Sequence, residues 1–157
     1  PGSGKTTIGK KLAGKLAVPH LDLDAEIERK ADAGIPEIFS TMGETHFRQL
    51  EADTLRDLDL SECPVVSTGG GTPCFHQNMD WMLQSGSVVY VKMPVKALHQ
   101  RLMAKPHDRP MFTGKTSKEQ LLFLEQLLQE REPFYLRGNY VISGLSADIH
   151  SLASKLD

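Results

Sequence analysis

The sequence predicts an α/β fold: three layers, α/β/α, built around a central parallel sheet. Three observations lead to it. Short β-branched runs alternate with segments of helical periodicity along the whole chain. A glycine-rich turn near the N-terminus runs directly into an amphipathic helix. The length, 157 residues with 39% apolar and 24% charged, suits a single domain with its own core and argues against disorder.

Taken in order, Ile8, Leu12 and Leu16 recur every four residues, so a helix is expected from Thr6 to about Ala17, stopped by Pro19. His20-Leu21-Asp22-Leu23-Asp24 alternates and reads as a buried strand ending in two carboxylates. Residues 25–32 and 36–42 read as short helices split by Gly34 and Pro36. Phe47, Leu50, Thr54 and Leu58 mark one face of a longer helix from about Thr45. Pro64–Thr68 is a strand running into Gly69-Gly70-Gly71, followed by a helix near 77–84 and a Val-rich strand over Ser87–Lys92. Val95, Leu98 and Leu102 carry the next helix. The stretch from Ala104 to Ser117 holds Pro106, Pro110 and Gly114 and little apolar content. A connection that long inside a compact domain suggests a lid or a binding loop. A Leu-rich helix from Lys118 to Glu132, a strand at Tyr140–Ile142 and a closing helix carrying Ile149, Leu152 and Leu156 complete the chain.

Lys and Arg number 18 against 20 Asp and Glu, a formal charge of −2. That balance gives no electrostatic reason to expect nucleic acid or an anionic membrane as partner. A small anion stays open, since it needs only two or three placed cations. No apolar run approaches the ~20 residues of a membrane helix, and no signal peptide is visible. Cys63 and Cys74 are too few for a disulfide framework and lack metal spacing. The expectation is a cytoplasmic monomer.

The strongest chemical signal is Pro1-Gly2-Ser3-Gly4-Lys5-Thr6-Thr7, which fits the later part of a Walker A pattern, G-x-x-x-x-G-K-[ST]. In such a P-loop NTPase the glycines turn backbone N–H groups around phosphate oxygens, and the helix N-terminus adds partial positive charge. Lys5 would reach the outer phosphates and the Thr6 hydroxyl would ligate Mg²⁺. The competing reading is a Gly-rich turn capped by Thr. The motif's first Gly would fall two residues before Pro1, and the strand feeding the loop before that. The expectation is therefore that the sequence starts mid-protein, with one strand and half a loop, roughly ten residues, not included.

A second substrate must be read from elsewhere. As a strand pair with period two, Asp22 and Asp24 would share a face beyond the carboxyl end of a strand, where ligands of open α/β sheets bind. The run Gly69-Gly70-Gly71 removes side-chain bulk and offers N–H groups. Arg48, in Gly43-Glu44-Thr45-His46-Phe47-Arg48, and Arg131, in Arg131-Glu132-Pro133-Phe134-Tyr135, add two cations. Singly, each has a plainer reading: Asp24 as a helix cap, the arginines as solvated charges, the glycines as a flexible turn. Glu44 and Glu51 read as structural partners for nearby arginines.

Together, in this order, these residues resemble the shikimate kinase family. The likeness spans essentially the entire chain: GSGKTT, LDLD, IPEIFSTMGETHFRQLE, STGGGT, RPMF and EREPFY. It implies ATP-dependent phosphorylation of the shikimate 3-hydroxyl on the route to chorismate, with Mg²⁺. It also implies strand order 2-3-1-4-5 with the first strand absent from this sequence, a mobile lid at about 104–118 and a substrate-binding helical region at about 24–58 within one domain, 1–157. Carried over by position, the substrate residues are Asp24, Arg48, Gly69, Gly70, Gly71 and Arg131. The nucleotide residues are Gly2, Ser3, Gly4, Lys5, Thr6, Thr7 and Arg109, with Arg101 as a base-stacking candidate. The metal residues are Thr6 and Asp22, and the catalytic groups are Lys5, Asp24 and Arg109. Two other readings stay open: a kinase for another polyol acid such as gluconate, and a silent nucleotide-binding relative.

Overall fold

A computed structural model describes residues 2–62, 64–104 and 112–156. Among the described residues, seven helices and four short parallel strands follow in order: α1 (Lys5–Leu16), β1 (His20–Asp22), α2 (Leu23–Ala31), α3 (Ile35–Arg56), β2 (Val65–Ser67), α4 (Asn78–Ser85), β3 (Val89–Lys92), α5 (Val95–Met103), α6 (Ser117–Tyr135), β4 (Tyr140–Ser143) and α7 (Ile149–Leu156). A 3₁₀ turn, Thr72–Cys74, follows the glycine run. The strands pair in two parallel sets, β1 with β2 (Asp22 opposite Ser67) and β3 with β4 (Val89 opposite Tyr140).

Two boundaries differ from the sequence reading. Asp24 is not on a strand. β1 stops at Asp22, whose side chain accepts from the Asp24 N–H at 3.1 Å and caps α2. Alternation of Asp and Leu over five residues also describes an N-cap with an acidic first turn, and the helix wins because Leu23 and Ile27 are then both fully buried. The two helices expected on either side of Gly43 are both present within α3, which that glycine breaks with φ +80° and ψ 170°. α6 also extends past its expected end, through Pro133 to Tyr135, opened by a capping box between Thr116 and Glu119.

Leu23, Ile27, Ile38, Phe47 and Leu55 form a core under α2 and α3. A second cluster, Leu12 with Leu152 and Ala153, joins α1 to α7. The third, Leu102, Phe112 and Leu124, joins α5 to α6. Each core holds one set of site residues from behind: α2–α3 the acidic pair and Arg48, α1 the glycine loop, α6 Arg131.

Candidate active site

Gly4 is the N-cap of α1 with φ +88°, a left-handed conformation open to glycine at little cost, and no side chain caps the helix. The first N–H groups of α1 therefore face the loop formed with Gly2 (φ +78°) and buried Ser3. Lys5 Nζ lies 3.5 Å from Ser3 Oγ. Burial pushes the Lys5 ammonium below its ordinary value, opposed by the nearby carboxylates of Asp24 and Asp22. Thr6 Oγ1 donates to Asp22 Oδ2 at 3.1 Å, while Asp22 Oδ1 is occupied as the α2 cap. A hydroxyl and a carboxylate held together beside a phosphate cradle form the hard-oxygen donor set that Mg²⁺ takes, with waters and phosphates completing its shell. Thr7 follows, exposed.

The other wall is built on α3 and the glycine run. Arg48 is only 8% exposed. Its Nη1 donates to Glu51 Oε2 at 2.8 Å and its Nε to Glu44 Oε1 at 3.3 Å. The guanidinium also lies 4.3 Å from the centre of the Phe75 ring and 5.1 Å from that of Phe47. Glu51, 1% exposed, takes a second bond from Thr72 Oγ1 at 2.5 Å. This buried carboxylate thus fixes both the cation and the turn after the glycines. A Cβ on Gly71 would fall 2.6 Å from both Arg48 terminal nitrogens. One on Gly69 would lie 3.2 Å from Glu51 Oε1 and 3.3 Å from Asp24 Oδ1. Gly69 and Gly71 are needed for close approach, not for a flexible turn.

Asp24 therefore reaches the glycine run from α2. Burial raises the proton affinity of its carboxyl, and Asp22 and Glu51 raise it further against the pull of Lys5. Arg131, on α6, makes no ion pair among the described residues; it lines a cavity of about 110 Å³ with Ser3, Lys5, Gly69, Gly70 and Tyr135. Arg101 of α5 sits apart from that acid side: it donates to the Ser3 carbonyl at 3.3 Å and the Gly144 carbonyl at 3.2 Å, bridging the phosphate loop to the loop after β4. Arg109 lies outside the described residues.

The structure thus lines one cavity with Ser3, Lys5, Gly69, Gly70 and Arg131, sets Asp24 against Gly69 and Arg48 against Gly71, and joins Thr6 to Asp22 next to Lys5, with Gly2 and Gly4 in the turn before α1. Sequence reasoning did not single out Thr72, Phe75 or Tyr135. Thr72 and Phe75 lie within six residues of the glycines. Tyr135 is four residues from Arg131, on the same helix face, a spacing that could have found it.

A family model for shikimate kinase matches residues 1–155. The chain is 43% identical over 140 residues to a shikimate kinase of Bacteroides fragilis, covering 89% of this chain and 78% of that protein. It is 36% identical over 159 residues to one of Parabacteroides distasonis, covering 99% and 92%. Among solved structures, it resembles a shikimate kinase from Bacteroides thetaiotaomicron with TM-score 0.85 and 37% identity, over 99% of this chain and 90% of that one. It also resembles the Acinetobacter baumannii enzyme in complex with shikimate, with TM-score 0.83 and 37% identity, over 98% and 84%. A cleft that joins a phosphate loop to paired carboxylates, a buried arginine and a glycine run is matched by likeness along the whole chain, and the chain belongs to the shikimate kinase family.

Proposed function

We propose the following division of labour in the phosphorylation of shikimate by ATP, the reaction that family membership assigns to the chain. Arg48 and Arg131 hold the carboxylate of the ring acid. Asp24 accepts a hydrogen bond from the ring hydroxyl that attacks, and the Gly69–Gly71 run lets the ring lie close to backbone. The observation that carries this reading is Arg48 held against Gly71 by Glu51, with Asp24 against Gly69 on the same wall. An anion recognised by guanidinium groups and a hydroxyl recognised by a carboxylate are the two chemistries that a hydroxylated ring acid presents.

Lys5 and the N–H groups at the start of α1 hold the outer phosphates, with Thr6 and Asp22 as the residues that would hold Mg²⁺. When bound, that ion neutralises charge on the phosphate oxygens. Positioning supplies most of what phosphoryl transfer requires. Asp24, whose proton affinity is raised by burial, is suited to take the hydroxyl proton as the bond to phosphorus forms. Arg101, held against the phosphate loop and the loop after β4, is the residue proposed to stack on the base of the nucleotide. Arg109 enters by resemblance alone, as a cation for the transferred group; by analogy with arginine fingers its loss would lower turnover by ~10³-fold.

We further propose that β1–β2 and β3–β4 are the two sides of one sheet, in which β1, β2, β3 and β4 take places 2, 3, 4 and 5 of the family order 2-3-1-4-5. Support comes from their shared parallel sense and from β2 and β3 facing one another across a cleft of about 410 Å³ lined by Val65, Val66, Val89 and Val91.

The test is phosphoryl transfer from ATP to shikimate, gluconate and quinate measured side by side. A preference for shikimate of about a hundredfold in kcat/KM is expected, since unmet buried polar groups reject the wrong acceptor. Equal rates on all three would overturn the assignment of the acid wall.

A further inference from the structure

We propose that Tyr135 is a positioning residue: its hydroxyl ties the glycine run to the helix that carries Arg131, so that both meet the acid as one unit. This rests on the reading that Arg131 and the glycines hold the acid.

Tyr135 is the last residue of α6, four residues beyond Arg131, and the two lie on one helix face. Its hydroxyl donates to the Gly70 carbonyl oxygen at 2.5 Å, across 65 residues of sequence. Three glycines in a row are the least constrained backbone a chain can contain, and a site that uses their N–H groups must fix their orientation by other means. The peptide plane provides the connection. In a trans peptide the carbonyl of one residue and the N–H of the next point in opposite directions, so holding the Gly70 oxygen also aims the Gly71 N–H. That N–H makes no backbone hydrogen bond among the described residues outside helices and strands. It belongs to the residue that lies against the Arg48 guanidinium.

The tyrosine is itself held. Its ring packs on Tyr90 of β3 at 5.0 Å between centroids, tilted by 39°. The Tyr90 hydroxyl donates to Glu132 Oε1 at 3.2 Å, and Lys92 Nζ pairs with the same oxygen at 2.8 Å. The end of α6 is thereby pinned to β3, and the Gly70 bond carries that fixed position across to the opposite wall. Burial holds the Tyr135 hydroxyl protonated beyond the ordinary range, against the opposing influence of Arg131, so it remains a donor throughout the working pH.

A plain packing role would affect stability and both substrates together. The experiment is steady-state kinetics for shikimate and ATP, with thermal melting, on Tyr135→Phe, Tyr90→Phe and Arg131→Ala. Tyr135→Phe keeps the ring and removes only the hydroxyl. It is expected to raise the KM for shikimate roughly 5- to 20-fold, in keeping with one lost hydrogen bond, with KM for ATP within about twofold of the parent. Tyr90→Phe is expected to lower the melting temperature and leave the KM for shikimate nearly as it was. An unchanged KM for shikimate in Tyr135→Phe overturns the proposal. So does an equal rise for both substrates, or a rise of the same size in Tyr90→Phe. Arg131→Ala separates the two levels of inference. If it leaves the KM for shikimate unchanged, the reading of the acid wall itself fails. If it raises that KM while Tyr135→Phe does not, only the role of the tyrosine falls.

Discussion

Arg48 presents a problem that the residues around it solve. A guanidinium as buried as this one loses its hydration, and an unpaired buried charge is costly. Glu51 removes that cost on one side, through Nη1, and two aromatic rings cover the guanidinium. Deleting one member of such a pair leaves the other uncompensated. Glu51→Ala is therefore expected to cost about 3 kcal/mol, seen as a fall in melting temperature of roughly 6–12 °C for a chain of this size. A fall under about 2 °C would show that the pair is not as dry as its burial implies. Asp24 makes the opposite case, a carboxylate kept in an environment that resists its charge. Its folded-state proton affinity is raised, so it holds its proton to higher pH than an ordinary Asp. In the role proposed for Asp24 the ionised form is the one that takes the hydroxyl proton, so activity is lost as pH falls through that raised value. The acid limb of kcat/KM for shikimate is expected above the ordinary carboxylate range of about 4. Asp24→Asn should remove that limb together with at least ~10²-fold of turnover. A limb at the ordinary position in the parent enzyme would assign the titration to another group.

Among the elements, the long helices were legible because they repeat. Ile8, Leu12 and Leu16 mark α1 without ambiguity, as the Leu-rich run marks α6. The three-residue strands carry too few positions to show a period, which is why Leu23 and Asp24 read as strand. Their helical state is decided by a core that sequence alone does not display, the burial of Leu23 and Ile27 against α3. The glycine run stood out in the sequence, but its surroundings did not. Its composition suggests freedom, whereas its neighbours show crowding that could be known only once α3 had been placed. Gly71→Ala puts a methyl group where the Arg48 guanidinium stands, 2.6 Å from both terminal nitrogens. Displacing that cation is expected to raise the KM for shikimate at least about tenfold, the worth of one charged hydrogen bond, with the KM for ATP little changed. Gly43→Ala acts in another way. Open space surrounds the position, so the cost is conformational, about 1–3 kcal/mol for a side chain at φ +80° and ψ 170°, a region open essentially to glycine alone. Because α3 turns at that glycine toward the segment bearing Arg48, chemical denaturation of Gly43→Ala should show the loss in its midpoint, with an unchanged m-value. A midpoint at the parent value would place the hinge elsewhere.

For the whole molecule, strand–helix alternation foretold parallel strands, and the pairs β1–β2 and β3–β4 are parallel. The order of strands across a sheet is a long-range property with no local signal, and the sequence suggested one only through family likeness. The division into two pairs matters for binding. Asp22 ends β1, while Asp24, Arg48 and the glycine run stand on the elements around β1 and β2. Arg101, Arg131 and Tyr135 stand on helices packed around β3. The Tyr135 bond to Gly70 joins the two sides at the cleft, and Arg101 ties the phosphate loop, through Ser3, to the β3–β4 side, where it also holds Gly144. A ligand held by Asp24 and Arg48 from one side and by Arg131 from the other adds a further tie that exists only in the folded state. Binding of that kind stabilises by mass action, about 2.7 kcal/mol at a hundredfold excess over Kd, or roughly 5–11 °C in melting temperature for a domain of this length. Shikimate alone, without nucleotide, is expected to give a rise of this size in the parent enzyme. Arg131→Ala should abolish it at the same concentration and leave the rise caused by Mg-ATP in place, since Lys5 and Thr6 lie on α1. If Arg131→Ala keeps the full shikimate-induced rise, the acid is held by the β1–β2 side alone and does not bridge the cleft.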